Sequence, residues 1–467
     1  MNQAKSIIQR LDQITVWPYP RRILFIVGAG FFFGFFDIIT IGVALPVIQK
    51  QFGISELSAT WAITASLIGY ILGAIIDSRI SDLYGRRIAL YLSILFFSVG
   101  SIFSAASFSL GWLIFWRFIT GMGIGAEISG VTTYMSEISP AKMRGKNTAW
   151  AIAYGFWGFA IVPFVALVTV PLFSWGWRLL FIIGGLGGVV IFFMRRNMTQ
   201  SPYWLIFKDR LEQVDQVVTD AENYAKKYHN YIPKKIEMNK VNNDEISISH
   251  ESFFKGIIQK PYLGRLILFA LVWCVYYIGN YGWLTLNTSL FIDFGFDLSN
   301  SLLFVALNSL GFIVGSLLAV YSGELIERKY MNIFILCAWC LCLLMIALFG
   351  SYSTILIFGF LAAVTIAMAI PLLYTYTAEN FPTNIRATSV ALTDGFGHLG
   401  GAFTGQIIFY FYYLFKPVNY GVEAAFTAMA ITGGLTAILL LFGSTMTGKS
   451  LSQVEIKTKA ENLQING

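Results

Sequence analysis

RFITGMGIGAEISGVTTYMSEISPAKMRG, residues 117–145, decides how the rest of the chain is read. It opens as an apolar helix carrying two ionisable groups, Arg117 and Glu127, and closes in a basic turn. Hydrocarbon penalises a charge at its centre by roughly 2.5–3.5 kcal/mol or more, so such groups are buried in a helix bundle or line a wet cavity. The second half of the stretch has an echo in YTYTAENFPTNIRA, residues 374–387. Tyr134, Glu137, Pro140 and Arg144 recur as Tyr376, Glu379, Pro382 and Arg386, each 242 residues on (376 − 134, 379 − 137, 382 − 140, 386 − 144). One fixed offset for four polar or special residue types marks two homologous halves.

Composition places those halves in a membrane. Of 467 residues, 56% are hydrophobic and 12% charged, against about 25% charged in an average soluble domain, and the mean hydropathy is +0.67. Apolar runs near the 20 or so residues needed to span are expected at 23–48, 58–77, 88–107, 110–135, 148–170 and 177–194. After a polar insert, six more follow at 264–291, 299–322, 332–350, 353–378, 388–414 and 422–443. The fold class is therefore all-α integral membrane: twelve transmembrane helices in two pseudo-symmetric six-helix halves, 1–198 and 261–446. A linker at 199–260 and a tail at 447–467 complete the chain.

The net charge of +7 is read by position. Arg21, Arg22, Arg86, Arg87, Lys142, Arg144, Lys146, Arg195, Arg196, Arg328, Lys329, Arg386, Lys449 and the insert's lysines fall on one side, against Lys50, Arg178 and Lys416 on the other. Both termini and the insert are thus expected in the cytoplasm of a cell-membrane protein. Residues 1–22 lack the apolar core and cleavage site of a secretory signal. No basic soluble face suggests nucleic acid, and anionic lipid headgroups are the expected partners of the basic loops.

The insert reads as short amphipathic helices by the spacing of Leu205, Leu211, Val214, Val217 and Val218, then as a loop near residues 239–249. His229 and His250 in it read as solvated. Cys274, Cys337, Cys340 and Cys342 lie in apolar runs without the His or carboxylate partners of a metal site, so neither metal nor cofactor is expected.

Between the second and third spans lies SRISDLYGRR, residues 78–87, with Asp82 before a Gly85 turn and Arg86 and Arg87 after it. Such charge-assisted contacts can pin two helix ends and break as that side opens. GELIERK, residues 323–329, supplies Glu327, Arg328 and Lys329, with Glu327 offset by 245 from Asp82 (327 − 82).

With these motifs the chain resembles the major facilitator superfamily, and within it the sugar porters and related metabolite:proton symporters. The likeness rests on DxxGRR at 82–87, RxxxGxGxG at 117–125, ExxPxxxRG at 137–145 and ExxPxxxR at 379–386. The stretch TGKSLSQVE at 447–455 is similar to the sugar porters' tail. Substrate motifs depart from that pattern. TQSPYW has Gln200 where an acid is usual, the glutamine pair of the seventh helix is missing, and Tyr374 stands where PxPW would place Trp. The resemblance implies alternating access, a monomer, and gating contacts from Asp82, Gly85, Arg86, Arg87, Glu127, Glu137, Arg144, Glu327, Arg328, Glu379 and Arg386.

Asp37 lies 14 residues into the first span (37 − 23) and Arg117 lies 7 into the oppositely directed fourth (117 − 110). At about 1.5 Å per residue in a core about 30 Å thick, they reach similar depth. An acid beside an arginine sheds its proton, and the same acid desolvated and apart holds one. The pair is accordingly expected to couple protons, or else to be a fixed structural bridge. Proton-coupled sugar porters carry an acid and an arginine at these places.

Glu127 is expected either to line the cavity or to answer Arg144. Gly121, Gly123 and Gly125 resemble a dinucleotide fingerprint, but with no strand before them they serve close helix packing. Asp394 and His398, four apart, share a helical face. Gly279 and Gly282 permit a break in the seventh span, where Tyr276, Asn280, Trp283 and Asn287 suit a polar solute. With Tyr374, these form the expected substrate set. The function read here is alternating-access transport, not enzymatic catalysis: proton-coupled symport of a sugar or related small polar metabolite. The alternatives are an organic or aromatic acid:proton symporter, a uniporter, a drug or cation antiporter, and a sensor that binds without transporting.

Overall fold

The computed structural model describes residues 2–232, 262–322 and 326–446. The first half comprises α1 (Asn2–Gln13), α2 (Arg21–Phe52), α3 (Glu56–Ala59), α4 (Trp61–Tyr84), α5 (Arg86–Ala105), α6 (Leu110–Ile138), α7 (Arg144–Leu172) and α8 (Trp177–Met194). The insert contributes α9 (Pro202–Phe207) and α10 (Leu211–His229). The second half comprises α11 (Tyr262–Asp293), α12 (Leu298–Ser322), α13 (Arg328–Phe349), α14 (Tyr352–Glu379), α15 (Thr383–Ala402), α16 (Thr404–Phe415) and α17 (Gly421–Leu441). His250, Gly323 and the tail from 447 lie outside the described residues.

Ten helices among the described residues are long and apolar enough to cross a membrane. The other two expected spans are helical as well. α6 is apolar apart from Arg117, Glu127 and Glu137, and its 29 residues reach about 43 Å. The expected span 388–414 is broken at Phe403 into α15 and α16. Glycines weaken a helix interior, and Gly400 and Gly401 precede the break while Gly405 follows it.

The duplication is visible in helix ends. Adding 242 to the bounds of α2 (21, 52) gives 263 and 294, beside 262 and 293 for α11; the same shift carries α6 (110, 138) to 352 and 380, beside 352 and 379 for α14. Arg86 pairs with Glu137 at 2.8 Å, and Arg328 pairs with Glu379, each across 51 residues (137 − 86, 379 − 328). Since 328 − 86 is again 242, Arg328 is the counterpart of Arg86, and matching Asp82 with Glu327 at 245 is corrected. Asp82 binds Arg86 at 2.7 Å, whereas Glu327 accepts the Met446 backbone N–H at 3.1 Å. The Tyr134 and Tyr376 hydroxyls also act alike. Each donates to a carbonyl of the segment leaving its half, Thr199 at 2.9 Å and Ser444 at 2.8 Å.

α1 is amphipathic and docks on the insert. Ile7, Ile8, Leu11 and Ile14 are buried, as are Val214, Val218, Ala221 and Ala225 along α10. Arg10 joins the two helices, donating to Glu222 at 2.9 and 3.0 Å, to Asp215 at 2.5 Å and to Thr219 at 2.9 Å. Burial raises the Asp12 carboxyl above its ordinary value, and Arg144, 3.5 Å away, opposes the shift. The end of the bundle that carries α1 and α10 is the basic face.

The halves meet toward the opposite face. Thr64 donates to the Ala402 carbonyl at 2.7 Å, Gln406 to Thr64 at 3.0 Å, and Ser309 to the Ala160 carbonyl at 2.9 Å. At the basic face, the ion pairs Arg86–Glu137 and Arg328–Glu379 each stay inside one half. α11 runs unbroken over 32 residues, so the expected interruption is corrected. Gly279 and Gly282 instead admit Thr432, Trp339 and Met429 against the helix backbone.

Close helix packing is the role of the glycines after Arg117. A Cβ on Gly121 would stand 1.9 Å from the Ser66 carbonyl oxygen, and one on Gly125 would stand 2.0 Å from that of Tyr70. Backbone cannot yield as a side-chain tip can. Gly121→Val is therefore expected to destabilise by about 1–3 kcal/mol, read as a lowered melting temperature in detergent. Gly111→Val, where a Cβ meets nothing within 4 Å, should leave the melt unchanged.

Candidate functional site

Five helices of the first half converge on Asp37. Arg117 of α6 donates to Asp37 Oδ2 at 2.5 Å, and Ser101 of α5 donates to Oδ1 at 3.1 Å. The second Arg117 nitrogen reaches Ser66 of α4 at 3.1 Å, and the Phe181 ring of α8 lies 5.3 Å from the guanidinium carbon. Both charged side chains are about 1% exposed or less. The depth argument thus leads to a contact. An arginine offers paired N–H groups in a fixed fork, so Asp37 and Ser66 hold Arg117 while Ser101 holds the carboxylate, and neither charge is left unmatched.

A second buried pair lies in the same half nearer the basic face. Arg195, the first residue after α8, holds both carboxylate oxygens of Glu127, and Ser93 donates to Oε2 at 2.7 Å. Arg195 also donates to the Leu90 carbonyl at 2.6 Å. Both readings of Glu127 are corrected: it is buried and answers Arg195, while Arg144 meets Asp12 at 3.5 Å and Tyr203 at 3.3 Å. The pair fits because α2 has Gly30 there, where a Cβ would fall 1.9 Å from Glu127 Oε1. Asp77 of α4 is buried, facing Gly130 of α6, and its Oδ2 has no hydrogen-bond partner.

The third constellation joins the halves. Tyr277 of α11 and Tyr374 of α14 both donate to Asp394 Oδ1, the first at 2.8 Å. His398, one turn along α15, is buried; its Nδ1 pairs with the Asp394 carbonyl at 2.9 Å and lies 3.6 Å from the carboxylate. Its ring stacks on Tyr70 of α4 at 4.0 Å and 12°, with Tyr277 at 4.6 Å and Tyr281 at 5.8 Å. The structure therefore unites Tyr374, Asp394 and His398. It adds Tyr70, Tyr277 and Tyr281, and gives the carboxylate chiefly to tyrosine hydroxyls. This arrangement offers flat rings, hydroxyl donors and an imidazole around one half-buried acid.

The remaining expected residues stand apart from it. Tyr276 packs between Trp273 and Trp339, its hydroxyl unpartnered, and Asn280 is buried nearby. Trp283 and Asn287 line a closed void of about 10 Å³ with Asn308 and Ser309 of α12 and Pro163 of α7, room for about one water. A larger cavity of about 690 Å³ opens at the basic face, where Trp17, Arg21, Arg22, Phe25, Tyr154 and His229 surround it.

At the α4–α5 corner, Gly85 turns with φ 99° and Gln200 accepts the Arg87 backbone N–H at 3.2 Å, so the acid's replacement caps the corner. Arg386 donates to the Ala378 and Phe381 carbonyls at 2.9 and 3.1 Å, closing the end of α14. Among the described residues, no cluster of three or more His, Cys, Asp or Glu could hold a metal ion.

Sequence reasoning missed Tyr70, Arg195 and Asp77, and placed Tyr277 and Tyr281 only among the aromatic residues of the seventh span, outside the expected substrate set. The tyrosines carry no charge to mark them in an apolar run. Arg195 was legible only as a loop charge at a span's end.

The chain matches the family described as Major Facilitator Superfamily over residues 27–405. It is 28% identical to the metabolite transport protein YyaJ of Bacillus subtilis, covering 85% of this chain and 87% of that one. It is 24% identical to the niacin transporter NiaP of Acinetobacter baylyi, covering 96% and 99%, and 26% identical to that organism's benzoate transport protein, covering 87% and 86%. In structure it is similar to the xylose transporter XylE from E. coli in a partially occluded inward-open conformation. The TM-score there is 0.72 at 17% identity, covering 92% and 99%.

Removing one partner of a buried pair costs about 3–5 kcal/mol, because it strands the other charge. Arg195→Gln is therefore expected to lower the melting temperature and the yield of folded protein sharply. Adding Glu127→Gln should restore most of both, with the double variant melting closer to the wild type than either single one.

Proposed function

We infer the function from one premise: the chain belongs to the Major Facilitator Superfamily and is a membrane transporter rather than an enzyme. Within that class we propose a proton-coupled importer of a small aromatic or related organic acid. The observation that carries the reading is the ring of Tyr70, Tyr277, Tyr374 and His398 about Asp394 at the meeting of the halves. Flat side chains bury an aromatic ring and orient it by edge and face contacts. An imidazole that gains a proton, with hydroxyls that can turn, suits a carboxylate. The names of relatives similar over most of their length, niacin and benzoate transporters, favour the same chemistry. This alternative displaces the sugar as the leading reading, since the likeness to a xylose transporter speaks for the fold alone.

In this reading the basic face is cytoplasmic. Asp37 takes a proton when the opposite face is open, releasing Arg117, and gives it up when Arg117 returns. The corner contacts of Asp82, Arg86, Glu137, Arg328 and Glu379 hold each half rigid as the halves rock. A monomer suffices, because both halves are in one chain.

The test is uptake of labelled nicotinate, 4-hydroxybenzoate and xylose into proteoliposomes, with and without an inward proton gradient, against liposomes lacking protein. Accumulation of an acid driven by the gradient is expected, with no xylose uptake. Asp37→Asn should abolish accumulation while leaving exchange of labelled for unlabelled acid. His398→Ala should raise the KM about tenfold, about 1.4 kcal/mol. Gradient-driven xylose uptake would return the sugar reading. Uptake indifferent to the gradient and to Asp37→Asn would leave a uniporter.

A further inference from the structure

We propose that the cavity on the basic face is a second binding site, made for a small aromatic carboxylate and sharing no residue with the cluster of tyrosines, Asp394 and His398 at the seam. The inference rests on the aromatic-acid reading for the class of solute, and on the cavity's own chemistry for the site. The cavity holds about 690 Å³, within the range of about 300–1,000 Å³ typical of small-molecule pockets. Its walls all come from the first half and the insert. They are Trp17 in the link between α1 and α2, Arg21, Arg22 and Phe25 in the first turns of α2, Tyr154 of α7, and His229 at the end of α10. The seam cluster is drawn instead from α4, α11, α14 and α15. Gly28 lets the Tyr154 ring lie close against α2, since a Cβ there would fall 2.4 Å from Tyr154 Cδ2.

Arg21 and Arg22 set the charge of the ligand. Both are exposed, and among the described residues their side chains have no ion pair or hydrogen bond. Arg10, Arg86 and Arg144 on the same face each meet a carboxylate, at 2.5, 2.8 and 3.5 Å. Two neighbouring guanidiniums without an internal acid favour an anion, and their planar forks match a carboxylate. The start of the 32-residue α2 adds to the same charge, because Pro20 gives it no side-chain cap.

Trp17 supplies the independent observation. It is 7% exposed, and its indole Nε1–H, which can only donate, has no acceptor among the described residues. A buried donor left without an acceptor is costly, and an oxygen of a bound carboxylate would satisfy it. Trp17, Phe25 and Tyr154 also bring three aromatic rings to one cavity, and ring faces and edges hold a flat ring better than an alkyl chain. Charge and shape thus select the same ligand. A solute released on the basic face can bind here without entering the seam, so occupancy follows its concentration on that face. An occupant would touch the α1–α2 link, α2, α7 and α10 at once, and so join the insert to the helices that carry Asp37 and the seam contact of Ala160.

Equilibrium dialysis of the full-length protein, in nanodiscs of phosphatidylcholine, against labelled 4-hydroxybenzoate counts the sites. Two per chain are expected. Arg21→Gln/Arg22→Gln, at exposed side chains, should leave one, and Trp17→Phe, which keeps a ring and removes the donor, should weaken the same site about tenfold. His398→Ala should weaken only the other. Benzyl alcohol, with the ring but no carboxylate, should not displace the label from the cavity. A single site weakened by His398→Ala and indifferent to the arginine change would overturn the cavity site and keep the seam site. The reverse result would keep the cavity and overturn the seam reading. Displacement from the cavity by inorganic phosphate as effective as by unlabelled 4-hydroxybenzoate would reduce it to an unselective basic patch. Loss of cavity binding when phosphatidylglycerol is added to the nanodiscs would make it a lipid site, and either result would overturn the inference.

Discussion

A lone charge cannot rest in hydrocarbon, and the interior of the first half is arranged around that constraint. Two arginines and three acids, Asp77 among them, lie within the helical core, and each arginine is matched by a carboxylate and serine or carbonyl oxygens. Their matching dictates the packing. Arg117 reaches Asp37 only because α6 lies against α4 with glycines at the contacts, and Glu127 with Arg195 fits only because α2 has Gly30 opposite. The small residues and the charged ones in this half are one design. Closer backbones shorten the reach that a buried ion pair must span.

The second half has the same helices without those charges. At the 242 offset, the counterpart of Asp37 is Gly279 (37 + 242) and that of Arg117 is Gly359 (117 + 242). Gly279 now receives Thr432 and Trp339, and Gly359 receives the Asn308 amide. The backbone plan and the corner pairs Arg86–Glu137 and Arg328–Glu379 were retained in both copies, while the interiors diverged. One half became the ionic member. The other supplied the tyrosines, Asp394 and His398.

Much of this was legible in sequence where a residue contrasts with its surroundings. Asp37 and Arg117 stand out in apolar runs, and counting residues from each end gave their shared depth, which the 2.5 Å contact bears out as geometry. The duplicated Tyr, Glu, Pro and Arg gave the offset that fits helix ends to within about a residue in two helix pairs. Contrast fails for Tyr70, since an aromatic residue is unremarkable in a membrane helix. It fails for Arg195 too, because a cation at a span's end looks like any loop charge. It misled at Gly279 and Gly282, since a glycine that loosens a helix and one that admits a neighbour look alike in one dimension. What sequence lacks is the direction in which a side chain meets the next helix.

The placement of polar contacts bears on how the halves move. The ion pairs Arg86–Glu137, Arg117–Asp37, Glu127–Arg195 and Arg328–Glu379 each lie within one half, whereas contacts across the seam include hydroxyl to carbonyl, amide to hydroxyl, tyrosine to carboxylate, ring on ring and glycine against side chain. Parting a buried ion pair leaves two uncompensated charges, but parting a neutral hydrogen bond exchanges it for water at a net cost of about 0.5–1.5 kcal/mol. A seam of neutral contacts can therefore open and close with states separated by a few kcal/mol, the range in which a ligand or a proton shifts populations. The charged interior of the first half and the corner ion pair of each half keep their shape while the weak seam yields. Motion is thus confined to where the energy of separation is small.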